Sequence, residues 1–155
     1  MHIQLIQVPY DSGHRDVRMG HGPEYFVQHR AAETLRTHGW TVDVESIEAQ
    51  RPFHTEIYTA FELDRQLAQR VRAAKESGAF PLVLAGNCNS SLGTLGGIGA
   101  HSAGIIWFDA HGDFNTPEIT PSGNVHGMAL AALLGQGAPE LTQIGRPSAK
   151  IKGSA

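Results

Sequence analysis

A chain of 155 residues has the size of one domain and can bury a core of its own. Its 41% hydrophobic and 17% charged content is that of a soluble globular protein, and a net charge of −3 without a basic stripe argues against nucleic acid or an anionic membrane as partner. A single cysteine, Cys88, rules out an internal disulfide and points to a reducing, cytoplasmic setting.

In chain order, "HIQLIQVP" (2–9) is a short apolar run closed by proline and reads as a buried strand. The N-terminal "MHIQLIQVPYDSG" lacks a basic flank followed by a long apolar segment, so no signal peptide is expected. A helix is expected from Pro23, which suits a first helical position, to the stop at Gly39. "WTVDVESI" (40–47) alternates Trp40, Val42 and Val44, a strand with one buried face. Over 55–77, Ile57, Ala60, Leu63, Leu67, Val71 and Ala74 recur at steps of three and four, one apolar helical stripe. "FPLVLA" (80–85) and "AGIIWFDA" (103–110) are continuous apolar runs, the pattern of parallel strands buried on both faces. The glycine-rich "SSLGTLGGIG" between them is a weak helix, and "NVHGMALAALLG" (124–135) a further one. The tail from Ala138 reads mostly as loop. The apolar runs at 103–108 and 128–134 are too short to span a bilayer. No repeat or low-complexity linker interrupts the chain, so residues 1–155 read as a single domain. Alternating strands and helices predict an α/β protein, a parallel sheet with helices on its faces. Ligands of such sheets bind beyond the carboxyl ends of the strands. "AGNCNS" and "DAHGD" both fall there.

"FDAHGDFNT" (108–116) sets Asp109, His111 and Asp113 two residues apart. If the strand conformation continues past Phe108, the three side chains share one face. Two carboxylates so close repel unless a cation, a binding partner or plain solvent relieves them, and hard oxygen plus imidazole suits a divalent ion such as manganese. The competing reading is a solvated strand end whose Asp and His cap the next segment; the apolar strand, by fixing the direction of the side chains, favours the metal. In "GNCNS", Cys88 follows a strand and a glycine turn as a nucleophile would, but Ser90 stands where the usual elbow has a second glycine. A small buried cysteine is the better reading. Gly93, Gly96, Gly97 and Gly99 begin too far beyond the strand for a dinucleotide loop and read as helix packing or loop. Asn115, Thr116, Thr120, Ser122 and Asn124 make a neutral hydrogen-bonding wall beside the carboxylates, with His126 following. Turn chemistry explains such residues equally well. His2, His14, His21, His29, His38, His54 and His101 are assigned no role.

"DAHGDFNTPEITPSGNVHGM" (109–128) closely resembles the D-A-H-x-D and S-G-N-x-H-G signature of the ureohydrolase family, which groups arginases, agmatinases and formimidoylglutamases. "LVLAGNCNSSLGT" (82–94) resembles that family's G-G-D-H-S signature, and "VPYDSGHRDVRMGHGPEYF" (8–26) its N-terminal loop. The resemblance implies a three-layer α/β/α sandwich with a parallel sheet and a two-manganese centre. A hydroxide between the metals would attack a guanidinium carbon and release urea. By resemblance, Asp109 bridges the metals while His111 and Asp113 each bind one. His126 matches the proton shuttle. Asn115, Thr120 and Ser122 match residues that hold a substrate α-carboxylate, which favours L-arginine over agmatine.

Laid on G-G-D-H-S, "AGNCN" places Asn87 at the aspartate and Cys88 at a histidine ligand, and a thiol suits manganese poorly. The family runs to roughly twice this length, the size of typical α/β enzymes. Two further aspartate ligands would then lie beyond residue 155. The expectation is an N-terminal half domain, of arginase type in the complete protein and inactive alone. The alternatives are a non-catalytic relative acting by binding or homo-oligomerisation through an exposed sheet edge, and a cysteine hydrolase using Cys88.

Overall fold

The computed structural model describes residues 1–99 and 104–144. Strand β1 (His2–Val8) is flanked in parallel by β4 (Thr41–Ser46) on one side and β5 (Phe80–Ala85) on the other. Between β1 and β4 come a two-residue hairpin, β2 (Tyr10–Asp11) with β3 (His14–Arg15), and helices α1 (His21–Gln28) and α2 (Ala31–Thr37). Helix α3 (Glu56–Glu76) joins β4 to β5, and α4 (Ser90–Ile98), α5 (Ala129–Leu133) and α6 (Pro139–Thr142) follow.

The alternation of β1 builds the three layers. Ile3 and Leu5 pack with Ala32 and Val42 on the side of α1 and α2. Ile6 and Val8 pack with Leu63, Leu67 and Val71 of α3 on the other. Helix α3 starts where Thr55 Oγ1 accepts the Tyr58 amide at 3.2 Å, and ends before Gly78 at φ +78°. Its stripe from Ala60 to Ala74 is buried as the spacing predicts, except that Ile57 stays exposed and Thr59 and Asp64 are buried beside it.

Several expectations need correction. The helix expected over 23–39 is two helices, broken at Arg30 with φ +67°. The bend lets α1 rest against β1 and β5 while α2 covers β4, which one straight rod could not do. Val42 is fully buried on β4, but Trp40 and Val44 are partly exposed. Strand β5 is half-buried, and among the described residues it is bonded only to β1, so it is an edge.

The fourth strand expected over 103–110 is not formed among its described residues, 104–110. The segment pairs with no other strand among the described residues. Ile105 and Trp107 enter a second core with Leu92, Leu95, Val125 and Leu133, while Ile106 is 81% and Phe108 94% exposed. The apolar run thus has one buried face rather than two. A groove of about 580 Å³ separates it from β5. The helix expected over 124–135 begins as a 3-10 turn, Val125–Met128, and only then becomes α5. The tail contains the short α6, and residues 145–155 lie outside the described ones. Of the glycines of "SSLGTLGGIG", Gly93 and Gly97 are helix packing, tight against α3, whereas Gly99 has open space around it and φ +86° at the end of α4.

Candidate metal centre

Three loops meet beyond the carboxyl ends of β1, β5 and the segment ending at Phe108. The first is the β2–β3 hairpin, whose turn residues Ser12 and Gly13 both have positive φ, at 49° and 81°, as a type I′ turn requires. It delivers Asp11, which is buried. The Asp11 carboxylate accepts from Asn87 Nδ2 at 3.1 Å and pairs with Arg18 Nε at 3.0 Å. Burial works to raise its pKa, but donors from Asn87, the Met19 amide and Ser12, with the Arg18 charge, outweigh burial and hold it below the usual carboxylate range. The Ser12 amide returns a bond to Asn87 Oδ1 at 2.8 Å. Hairpin and β5 loop are therefore locked together. Gly86 makes this approach feasible, since a Cβ there would stand 2.3 Å from the Tyr10 carbonyl oxygen.

The second loop carries Cys88. Its thiol donates to Asp109 Oδ2 at 3.7 Å. Burial first, then the Asp113 and Asp109 carboxylates, push its pKa up to about 12. The third loop holds the acidic residues. Asp109 Oδ1 accepts the His111 amide at 2.9 Å, the largest cause of its lowered pKa. Asp113 is only 7% exposed, and its Oδ2 has no hydrogen-bond partner. Its φ of +45° turns its carbonyl onto the amides of Leu130 and Ala131, at 2.9 and 3.2 Å, at the start of α5. The Asn115 amide bonds to the Gly127 carbonyl at 3.1 Å, which draws residues 113–115 alongside His126.

Ligand atoms of Cys88, Asp109 and Asp113 all lie within 4.8 Å of one another. His111 stands beside them: its Nδ1 is 3.3 Å from Asp109 Oδ1 and its ring is 83% exposed. The chain turns after Asp109 instead of continuing as strand, so Asp109 and Asp113 converge and the imidazole faces outward. A cleft of about 890 Å³ opens over the cluster, lined by Asp11, Arg18, Cys88, Asp113, Asn115 and His126 among others. Thr120 and Ser122 do not line it. Their hydroxyls accept the amides of Gly123 and Asn124 at 3.1 and 3.3 Å within their own turn. Sequence reasoning missed Asp11 and Arg18, and it placed Asn87 at a signature position without its bonds to Asp11 and Ser12. The signal was present in the position of Asp11, just past the carboxyl end of β1.

The Arginase family model matches residues 1–151. The chain belongs to the arginase family. It is 38% identical to the arginase of Bacillus subtilis over 162 aligned positions, which cover 97% of this chain and 54% of that protein. Against the arginase of Bacillus caldovelox it is 54% identical over 93 residues, 59% of this chain and 31% of that one. The crystal structure of the Bacillus subtilis arginase superposes with a TM-score of 0.88 at 36% identity, covering 98% of this chain and 53% of the other. That of Entamoeba histolytica arginase in complex with L-ornithine gives 0.82 at 26%, covering 96% and 55%. The chain thus spans about half the length of the Bacillus subtilis relative. The arginase-family fold, a parallel sheet between helix layers, is the one seen here. No described helix is long and apolar enough to cross a membrane.

Arginase-family membership raises the question whether this donor set suits manganese. The carboxylates of Asp109 and Asp113 do, as hard oxygen ligands, and the orphaned Asp113 Oδ2 is the kind of atom a cation would satisfy. The Cys88 sulfur does not.

Proposed function

We propose that this chain carries the metal-binding and substrate-facing part of a guanidino-hydrolysing centre whose complete form acts on L-arginine, and that these residues alone turn arginine over negligibly. The observation that carries the reading is the convergence of Asp109 and Asp113 beneath a cleft walled by Asn115 and His126. A divalent cation on the carboxylates supplies Lewis acidity there. Asn115 would meet a substrate carboxylate, and His126 would hand a proton to a leaving amine; both line the cleft. Thr120 and Ser122 join Asn115 only by exchanging their present turn bonds for substrate. The lone thiol, with no second cysteine to oxidise with, suits a reducing cytoplasm.

The inactivity follows from ligand count. Three donors cluster among the described residues, where two metal ions need roughly six or more protein ligands. Incubation of the chain with manganese or zinc and arginine is expected to release no urea above a metal-only blank. Turnover on the order of 1–10 per second, ordinary for an enzyme, would overturn this. A cysteine hydrolase is disfavoured, because a nucleophilic thiol needs its proton loosened, whereas burial first and then Asp113 and Asp109 hold it on.

A second reading, association of copies, is favoured by one specific feature. The edge of β5, unpaired among the described residues, and the exposed Ile106 and Phe108 flank the same open groove. Unpaired strand edges beside apolar side chains promote pairing with another chain. Ile106→Lys with Phe108→Lys is expected to reduce concentration-dependent light scattering while leaving the unfolding midpoint unchanged. Equal scattering from both proteins would remove this reading.

A further inference from the structure

We propose that Cys88, Asp109 and Asp113 form a single-cation site selective for a thiophilic divalent ion of the zinc class over manganese. The inference rests on the reading of this cluster as a metal centre and departs from it in the ion. Two independent observations converge. The three donor atoms are mutually within 4.8 Å. Separately, Asp113 is nine-tenths buried and its Oδ2 meets no donor, an arrangement unfavourable for an ionised carboxylate and one that a cation in the same space would relieve.

One of the three spacings already matches tetrahedral coordination, and the other two lie within 4.8 Å, a short contraction away. Bonds of about 2.3 Å to sulfur and 2.1 Å to oxygen place those two atoms roughly 3.6 Å apart around a tetrahedral zinc ion. Cys88 Sγ and Asp109 Oδ2 stand 3.7 Å apart. Three protein ligands leave a fourth position toward the cleft, the arrangement of an open zinc site. On binding, the thiol proton leaves to solvent and the sulfur, now a thiolate, takes its place on the ion. Manganese gains little from that sulfur and keeps only the two carboxylates.

Zinc outcompetes manganese at almost any nitrogen, oxygen or sulfur site, so preference alone proves nothing. The decisive quantity is the part of that preference that depends on Cys88. Equilibrium dialysis of the reduced chain against zinc and manganese should show the zinc-to-manganese affinity ratio falling by at least about 100-fold in Cys88→Ser, the upper end of what loss of even a supporting residue causes. Cobalt(II) loaded into the unsubstituted chain should show a near-ultraviolet thiolate charge-transfer band, absent in Cys88→Ser. Asp113→Asn should weaken both ions while circular dichroism stays unchanged. An unchanged ratio, or a cobalt spectrum without the sulfur band, overturns the selectivity while leaving a carboxylate metal centre standing. A chain that binds none of the three ions overturns both.

Discussion

Gly97→Ala is expected to lower stability by about 3 kcal/mol, the upper part of the usual range for overpacking a close contact. A Cβ at Gly97 would stand 2.6 Å from the Ala68 carbonyl oxygen and 2.6 Å from Val71 Cβ. One of these is backbone, so no rotamer change relieves it; α4 must move off α3. Alanine is the better helix former by about 1 kcal/mol, so propensity alone predicts the opposite sign. The clash is the larger effect. For a domain of this size the midpoint should fall by roughly 6–12 °C. Gly22→Ala is the control, because nothing lies within 4 Å of a Cβ there. An unchanged midpoint for Gly97→Ala would mean that α3 and α4 are not in contact as described. The consequence reaches the cleft, since α4 begins directly after the loop that carries Cys88.

Asp64→Asn is expected to stabilise the chain by about 1–3 kcal/mol at neutral pH, the cost of a buried polar group without its partner. Asp64 is 0% exposed in α3, and its Oδ1 has no partner. Its Oδ2 accepts from Asn89 Nδ2 at 3.4 Å, so it props the loop beside Cys88 from below. Burial raises its pKa well above 3.8, more than the Asn89 bond and the Arg65 charge lower it. The folded carboxyl therefore keeps its proton at pH values where the unfolded one has lost it. Its contribution to stability is fully present below pH 3.8 and is lost as pH rises toward the folded value. Asparagine mimics the protonated form and does not titrate. Denaturant unfolding at a series of pH values should show wild type falling relative to Asp64→Asn from acid to neutral pH. A wild type that gains on the variant over that range would refute the account.

Both variants bear on features visible only in part in the linear chain. The glycines of α4 signal helix packing by type, and Asp64 sits one position after Leu63 within the apolar stripe of α3, yet neither pattern names the partner. That Gly97 meets Ala68 and Asp64 meets Asn89 depends on how two helices cross. The same holds at the cleft. Asp109, Asp113 and Cys88 were legible as strand-end candidates from local pattern. The outward turn of His111, the turn bonds of Thr120 and Ser122, and the locking of Asp11 to Asn87 were not.

By itself the amino-acid order determined the parallel α/β plan, the layers on either face of β1, the span of α3 and the crowding of acidic groups after Phe108, because each rests on periodicity and on residues adjacent in the chain. Tertiary structure alone decided that α1 and α2 part at Arg30, that 104–109 shows Ile106 and Phe108 to solvent, and that a thiol rather than an imidazole joins the two carboxylates. The reason is that a continuous apolar run records what a strand is able to bury, whereas the neighbours that cover it come from distant parts of a chain, and only their packing selects which faces close.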